Sequence, residues 1–207
     1  MNVSFHYLFF YFFFLSTIFG EITHRPLFVS LGSHCHVTTT LRACKLRNEA
    51  FPFDWITSFD GEHLIQSLRD DCSGFFENEH FSTLVVNRRL RNIRYNFEFP
   101  HEEGSFSSES YDQDLERFKS KYKRRVNIFN QLNQCHKKVY FLREAILGNF
   151  DDVEPYPFSD LCRVISEEFA VRLYHEIKVK FPDLDAYLII INHEDGPIFE
   201  LDKVIDN

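Results

Sequence analysis

The chain has 207 residues, 44% hydrophobic and 26% charged, which is the make-up of one folded domain with its own core and excludes a disordered segment. Its net charge of −8 argues against a nucleic-acid partner, which needs a basic surface. Phenylalanine is unusually frequent, at 25 residues, and part of that excess lies in the first twenty positions.

Residues 7–19 are nearly all apolar and polar sequence begins at Glu21. The run suits the hydrophobic segment of a secretory leader and is shorter than the about 20 residues of a membrane span. Cleavage after Gly20 is one expectation and an uncleaved membrane anchor is the other. Residues 1–20 are therefore set apart as leader, and residues 21–207 are expected to form a single domain. The expected location is the secretory pathway or the extracellular space, with membrane contact only through an uncleaved leader. Five cysteines, Cys35, Cys44, Cys72, Cys135 and Cys162, leave at least one without an intramolecular partner. Two disulfides and one free thiol would fit an oxidising compartment. No C-x-x-C spacing points to a structural zinc site.

After Pro26, residues 27–31 read as a buried strand, and Gly32-Ser33 breaks it. Ser33 is placed to cap a helix over about 35–46, with Val37, Leu41, Ala43 and Cys44 inward. Residues 51–56 form an aromatic loop, and a second helix covers about 60–70. Residues 83–86 and 93–99 read as two strands of a hairpin, the second alternating Ile93, Tyr95, Phe97 and Phe99 with polar residues. A long helix over about 110–134 carries Tyr111, Leu115, Phe118, Tyr122, Val126, Phe129 and Leu132 at spacings of three and four. Its basic run, residues 119–125, reads as a solvated face. Residues 139–142 form a second buried strand, 148–157 an acidic loop, 159–180 a helix and 186–191 a third all-apolar strand.

Alternating helices and continuously apolar strands predict an α/β fold. It has three layers: a mostly parallel sheet with helices on both faces, plus an antiparallel hairpin addition.

Cys35 stands out chemically. It follows a glycine turn at a predicted helix start, where the helix dipole favours thiolate and first-turn N–H groups can hold an oxyanion. Gly32, Ser33 and His34 belong to that turn. His34 and His36 flank Cys35, but adjacent residues do not share a face, so neither is placed to take the thiol proton and a general base must come from elsewhere in the fold. His101, at a strand end, is the leading candidate and His193, after the last strand, is its rival. Asp54 lies among apolar residues and needs partners; it can orient a histidine or clamp the Cys35 turn. Arg143 can pair with Asp54 or meet a substrate carboxylate, and Trp55 can contact substrate.

Several segments carry a resemblance. Ser30-Leu-Gly-Ser-His-Cys35, Leu41-Arg42 and Arg47-Asn-Glu-Ala-Phe-Pro-Phe-Asp-Trp-Ile56 resemble the opening of the papain-like cysteine peptidase family, an uncharacterised one. Tyr95-Asn-Phe-Glu-Phe-Pro-His101, Lys121-Tyr-Lys-Arg-Arg125 and Val139-Tyr-Phe-Leu-Arg143 are similar to its later blocks, so the likeness covers about residues 27–145. It implies a thiol nucleophile at Cys35 and a histidine partner, best matched by His101. The family has an aspartate after that histidine, where this chain has Glu102. The expected function is a thiol-dependent hydrolase or acyl-transferase acting on a peptide or other acyl substrate, without metal or organic cofactor. The alternatives are a protein- or carbohydrate-binding module built around Trp55, and a glycan-acting transferase.

Overall fold

A computed structural model describes residues 25–47, 49–58, 61–83, 89–102, 106, 107, 109–145, 165–192 and 199–201. The expected leader, the acidic loop at 148–157, Cys162 and His193 lie outside these residues.

The three continuously apolar runs pair as one sheet. Strand β1 (Leu27–Ser30) runs parallel to β6 (Val139–Glu144), and β6 runs parallel to β7 (Ala186–Ile191). Strand β8 (Phe199–Leu201) adds an antiparallel edge, giving the order β1-β6-β7-β8. Parallel strands need both faces covered, and these have it. On one face Phe28, Tyr140, Leu142 and Ile189 pack on Val37 and Leu41 of α1 (His36–Ala43). On the other, Val29, Leu31, Phe141, Leu188 and Ile190 join a larger core with α2 (Gly61–Arg69), α3 (Tyr111–Asn130) and α4 (Glu167–Lys180). The fold is therefore α/β, with helices on both sides of a mostly parallel sheet.

The antiparallel part departs from the expected hairpin. It is a second sheet of four short strands in the order β2-β5-β4-β3: β2 (Thr57–Ser58), β3 (Phe81–Thr83), β4 (Leu90–Asn92) and β5 (Phe97–Phe99). The run 93–99 is not one strand. Its first half is the turn joining β4 to β5, where Tyr95 N–H donates to Asn92 Oδ1 at 2.9 Å and Asn96 takes φ +52°. Nor does burial alternate as a half-exposed strand would: Ile93 is exposed, and Asn96 and Glu98 are buried along with Tyr95, Phe97 and Phe99.

Helix α3 is the wall shared by the two sheets. Phe118 packs 4.7 Å from Phe99 and 5.2 Å from Phe81 in the second sheet, while Phe129 lies 6.3 Å from Phe141 in the first. Much of the phenylalanine excess is spent here, in edge-to-face contacts that add to area burial. The helix ends at Asn130 and continues as a tighter 3-10 turn, Gln131–Gln134. The basic run on α3 needs correction: Arg125 is 5% exposed and belongs to the interior. Helix α4 begins at Glu167 behind Ser166, whose hydroxyl accepts from Phe169 N–H at 3.2 Å. No helix among the described residues is long and apolar enough to cross a membrane.

Candidate active site

The chain leaves β1 beside the carboxyl end of β6, the position where open α/β sheets leave a crevice. Leu31 N–H donates to Leu142 O at 2.8 Å, and then the backbone turns through two left-handed residues, Gly32 (φ +78°) and Ser33 (φ +76°). A Cβ on Gly32 would stand 2.9 Å from Ile56 Cγ1, so both conformation and space require glycine. Ser33 carries the strain and is held on every side. Its N–H donates to Ser58 Oγ at 3.1 Å, its carbonyl accepts from Ser58 N–H at 3.3 Å, and its hydroxyl donates to the Glu144 carbonyl.

Ser33 therefore anchors the turn and does not cap the helix, as had been expected of it. Cys35 occupies the N-cap position of α1, with no side-chain cap bond. The amides of Gly32 and Ser33 are already committed, to Ser30 Oγ and Ser58 Oγ. The N–H groups available at this helix end are those of its first turn, starting at His36.

Arg143 is engaged with the backbone and serine beneath the turn. Its guanidinium donates to the Leu31 carbonyl at 3.0 Å, to Ser58 Oγ at 2.5 Å and to the Ser58 carbonyl at 3.0 Å. It ties β6, β2 and the Gly32 turn together from beneath. Asp54 takes Arg47 instead, accepting at Oδ2 from Arg47 Nη2 (2.8 Å), Arg47 Nε (3.0 Å) and Phe51 N–H (3.0 Å), while Thr38 of α1 donates to Oδ1 at 3.4 Å. The carboxylate thus fastens the aromatic loop to α1; no histidine is among these partners. Burial pushes the Asp54 carboxyl up, against the pull of Arg47 and the Phe51 N–H.

Cys35 Sγ lies 3.3 Å from His34 Nδ1. Neighbouring side chains usually diverge, but the left-handed Ser33 immediately before redirects the chain, and the ring lies back over the sulfur. The His34 ring stands 4.8 Å from that of His36, whose Nδ1 is 3.9 Å from Oε1 of buried Glu144. Burial and then His36 lower the His34 pKa, Glu144 opposes them, and His101 lowers it further. Burial likewise raises the Cys35 thiol, against its own backbone N–H, and Glu144 adds to the rise. Both shifts favour the neutral forms, a thiol beside an unprotonated imidazole, and so oppose the helix dipole's preference for thiolate. Cys35, Cys44, Cys72 and Cys135 are all free, which leaves no place for two disulfides.

His101 is exposed and its ring lies edge-on to Trp55 at 5.4 Å. Its electrostatic effect on His34 places it in the same neighbourhood, although the contact recorded at the sulfur is His34's. Between Trp55 and α3 lies a pocket of about 260 Å³ lined by Trp55, His101, Glu102, Lys121 and Arg125. Sequence reasoning missed Ser58, Glu144, Lys121 and Arg125 as parts of this region. A serine in a two-residue strand and a carboxylate ending an apolar strand carry no local signal, and the two basic residues were hidden in a charge run.

A half-buried cysteine at a helix N-terminus, touching an imidazole and set at the carboxyl end of a parallel sheet, gives the class: an α/β domain with a candidate thiol site. Residues 26–196 match the family described as "Putative papain-like cysteine peptidase (DUF1796)", and the chain belongs to that family. A relative from Acanthamoeba polyphaga mimivirus, "Uncharacterized protein R408", is 28% identical over 153 residues, covering 62% of this chain. The chain spans 66% of that relative's length. No solved structure matches the chain.

Proposed function

We propose that the protein is a thiol-dependent hydrolase or acyl-transferase with Cys35 as its nucleophile. The observation that carries this reading is the 3.3 Å approach of His34 Nδ1 to Cys35 Sγ at the start of α1; family membership supports it. With the imidazole proton on Nε2, Nδ1 accepts the S–H proton as sulfur attacks the acyl carbonyl. A C–S bond forms and the carbonyl electron pair moves to oxygen, facing the first-turn N–H groups of α1. Collapse of that intermediate expels the leaving group, which takes the proton back from His34. Water, deprotonated by the same nitrogen, then attacks the thioester and regenerates the thiol; an amine or alcohol in place of water gives acyl transfer. Because both shifts favour neutral partners, proton transfer accompanies attack.

His101, the base implied by the family resemblance, competes with His34 for this role, and one experiment separates them. Iodoacetamide labelling followed by peptide mass spectrometry should modify Cys35 ahead of Cys44 and Cys135. His34→Ala should slow Cys35 labelling about tenfold, within the range of general-base effects, and His101→Ala less. The reverse order would assign the base to His101. Equal labelling of Cys35, Cys44 and Cys135, unchanged in both variants, would leave Cys35 an ordinary cysteine and favour a binding module.

A further inference from the structure

The pocket between Trp55 and α3 holds a buried cation with spare donors. Arg125 is 5% exposed, and its Nε and Nη1 make no hydrogen bond. Its nearest carboxylate oxygen, Glu102 Oε1, is 3.5 Å from Nη1, an ion-pair distance. Glu102 is itself engaged elsewhere, accepting from Lys121 Nζ at 2.8 Å and from Tyr122 O–H at 3.3 Å. The guanidinium rests 4.8 Å from the Tyr122 ring centre, which satisfies its face but not its N–H groups. Leaving donors of a buried guanidinium idle is costly; Nε and Nη1 are themselves shut off from solvent, but Arg125 lines an open pocket, and that is where a partner can enter.

The charges of the lining specify that partner. Among the described lining residues Lys121 and Arg125 are positive and Glu102 is negative, which leaves one positive charge over. The nearby Asp54–Arg47 pair is self-compensated, with a separation of 2.8 Å. One surplus charge suits a singly charged carboxylate better than a phosphate dianion, and a guanidinium fork matches a carboxylate edge. Trp55 adds an apolar wall on the opposite side. The pocket is linked to the thiol's surroundings: His101 lines it and acts electrostatically on His34, and Asp54, next to Trp55, is bonded to Thr38 in the first turn of α1.

We infer that this pocket binds a carboxylate group carried by the substrate, seated on Arg125 and Lys121 with its apolar neighbour against Trp55. The substrates are thus acyl compounds or peptides that end in, or bear, a carboxylate close to the scissile bond. That the ligand is a substrate rests on the Cys35 reading; that it binds does not.

The test compares benzoylglycine with benzoylglycinamide by isothermal titration of the full chain. The carboxylate should bind about tenfold more tightly, the effect of one charge-assisted hydrogen bond. Arg125→Gln should abolish that preference, and Cys35→Ser should keep it. Equal affinity for the two compounds, or a preference retained in Arg125→Gln, would overturn the inference. Should Arg125→Gln fail to fold by near-ultraviolet circular dichroism, Lys121→Gln decides, since its side chain is 37% exposed. An about threefold drop in preference supports the site, and no change refutes it. Tighter binding of phenyl phosphate than of benzoylglycine would overturn the choice of carboxylate. Failure of the thiol reading shows separately, in cysteine labelling, and leaves these affinities as they are.

Discussion

The two sides of the candidate site are built on opposite principles. The Cys35 side, residues 30–36, is fixed by short hydrogen bonds among backbone, serine hydroxyls and the Arg143 fork, with two left-handed residues locked between them. The Trp55 side is built from charge: Asp54 with Arg47, and Glu102 with Lys121 and Arg125. The first side holds a thiol–imidazole pair in place; the second concentrates the field. Position is thus supplied by one wall and electrostatic selection by the other, and damage to each should register differently.

The largest expected effect is on the rigid wall. Arg143→Met removes three donors to the Leu31 carbonyl and Ser58 while leaving those acceptors buried. Each buried acceptor left unpaired costs about 1–3 kcal/mol, so unfolding free energy should fall by about 3–5 kcal/mol in urea titrations. A loss below about 1 kcal/mol would show that water replaces the fork. Gly32→Ala comes next. It puts a Cβ against Ile56 and forces φ +78° on alanine, for about 1–3 kcal/mol. Because Ile56 can yield a little, the more telling readout is slower alkylation of Cys35 as the turn shifts; unchanged labelling would separate the turn from the reactivity of the thiol.

The smallest effect concerns titration. The folded Cys35 thiol lies above its ordinary 9.0, chiefly through burial. A raised value keeps the thiol protonated to higher pH, so the uncatalysed alkylation rate of His34→Ala should still be climbing past pH 9.0. A plateau below that pH would mean that the helix end outweighs burial. Cys72 offers the internal control: fully buried, with its pKa also raised, it should stay unlabelled until the protein unfolds.

Reading the sequence worked where the signal was local. Residues 186–191 form a strand over those same residues because a continuous apolar run of that length can only be buried on both faces. The period of α3 was legible through Leu115, Phe118, Tyr122, Val126 and Phe129, all of which are buried. The second sheet was only half legible, since a turn occupies 93–96 and the apolar–polar alternation does not track burial, Asn96 and Glu98 being buried and Ile93 exposed. In the site, Cys35 at a glycine turn was readable from residues 30–36. Asp54 was recognised as needing a partner, but Arg47 and not Arg143 reaches it.

Composition, periodicity and one left-handed glycine determined the layers of this protein and the exposed end of the helix that carries Cys35. Those are properties of short stretches, set by which faces must leave water and which backbone angles a residue tolerates. Tertiary structure decided the pairings: Arg143 beneath Leu31 and Ser58, His34 folded back on the thiol, and Arg125 turned from a charge run into a pocket. Such choices depend on where distant segments meet. A buried donor bonds whichever acceptor the packing brings within about 3 Å, and no spacing along the chain encodes that distance.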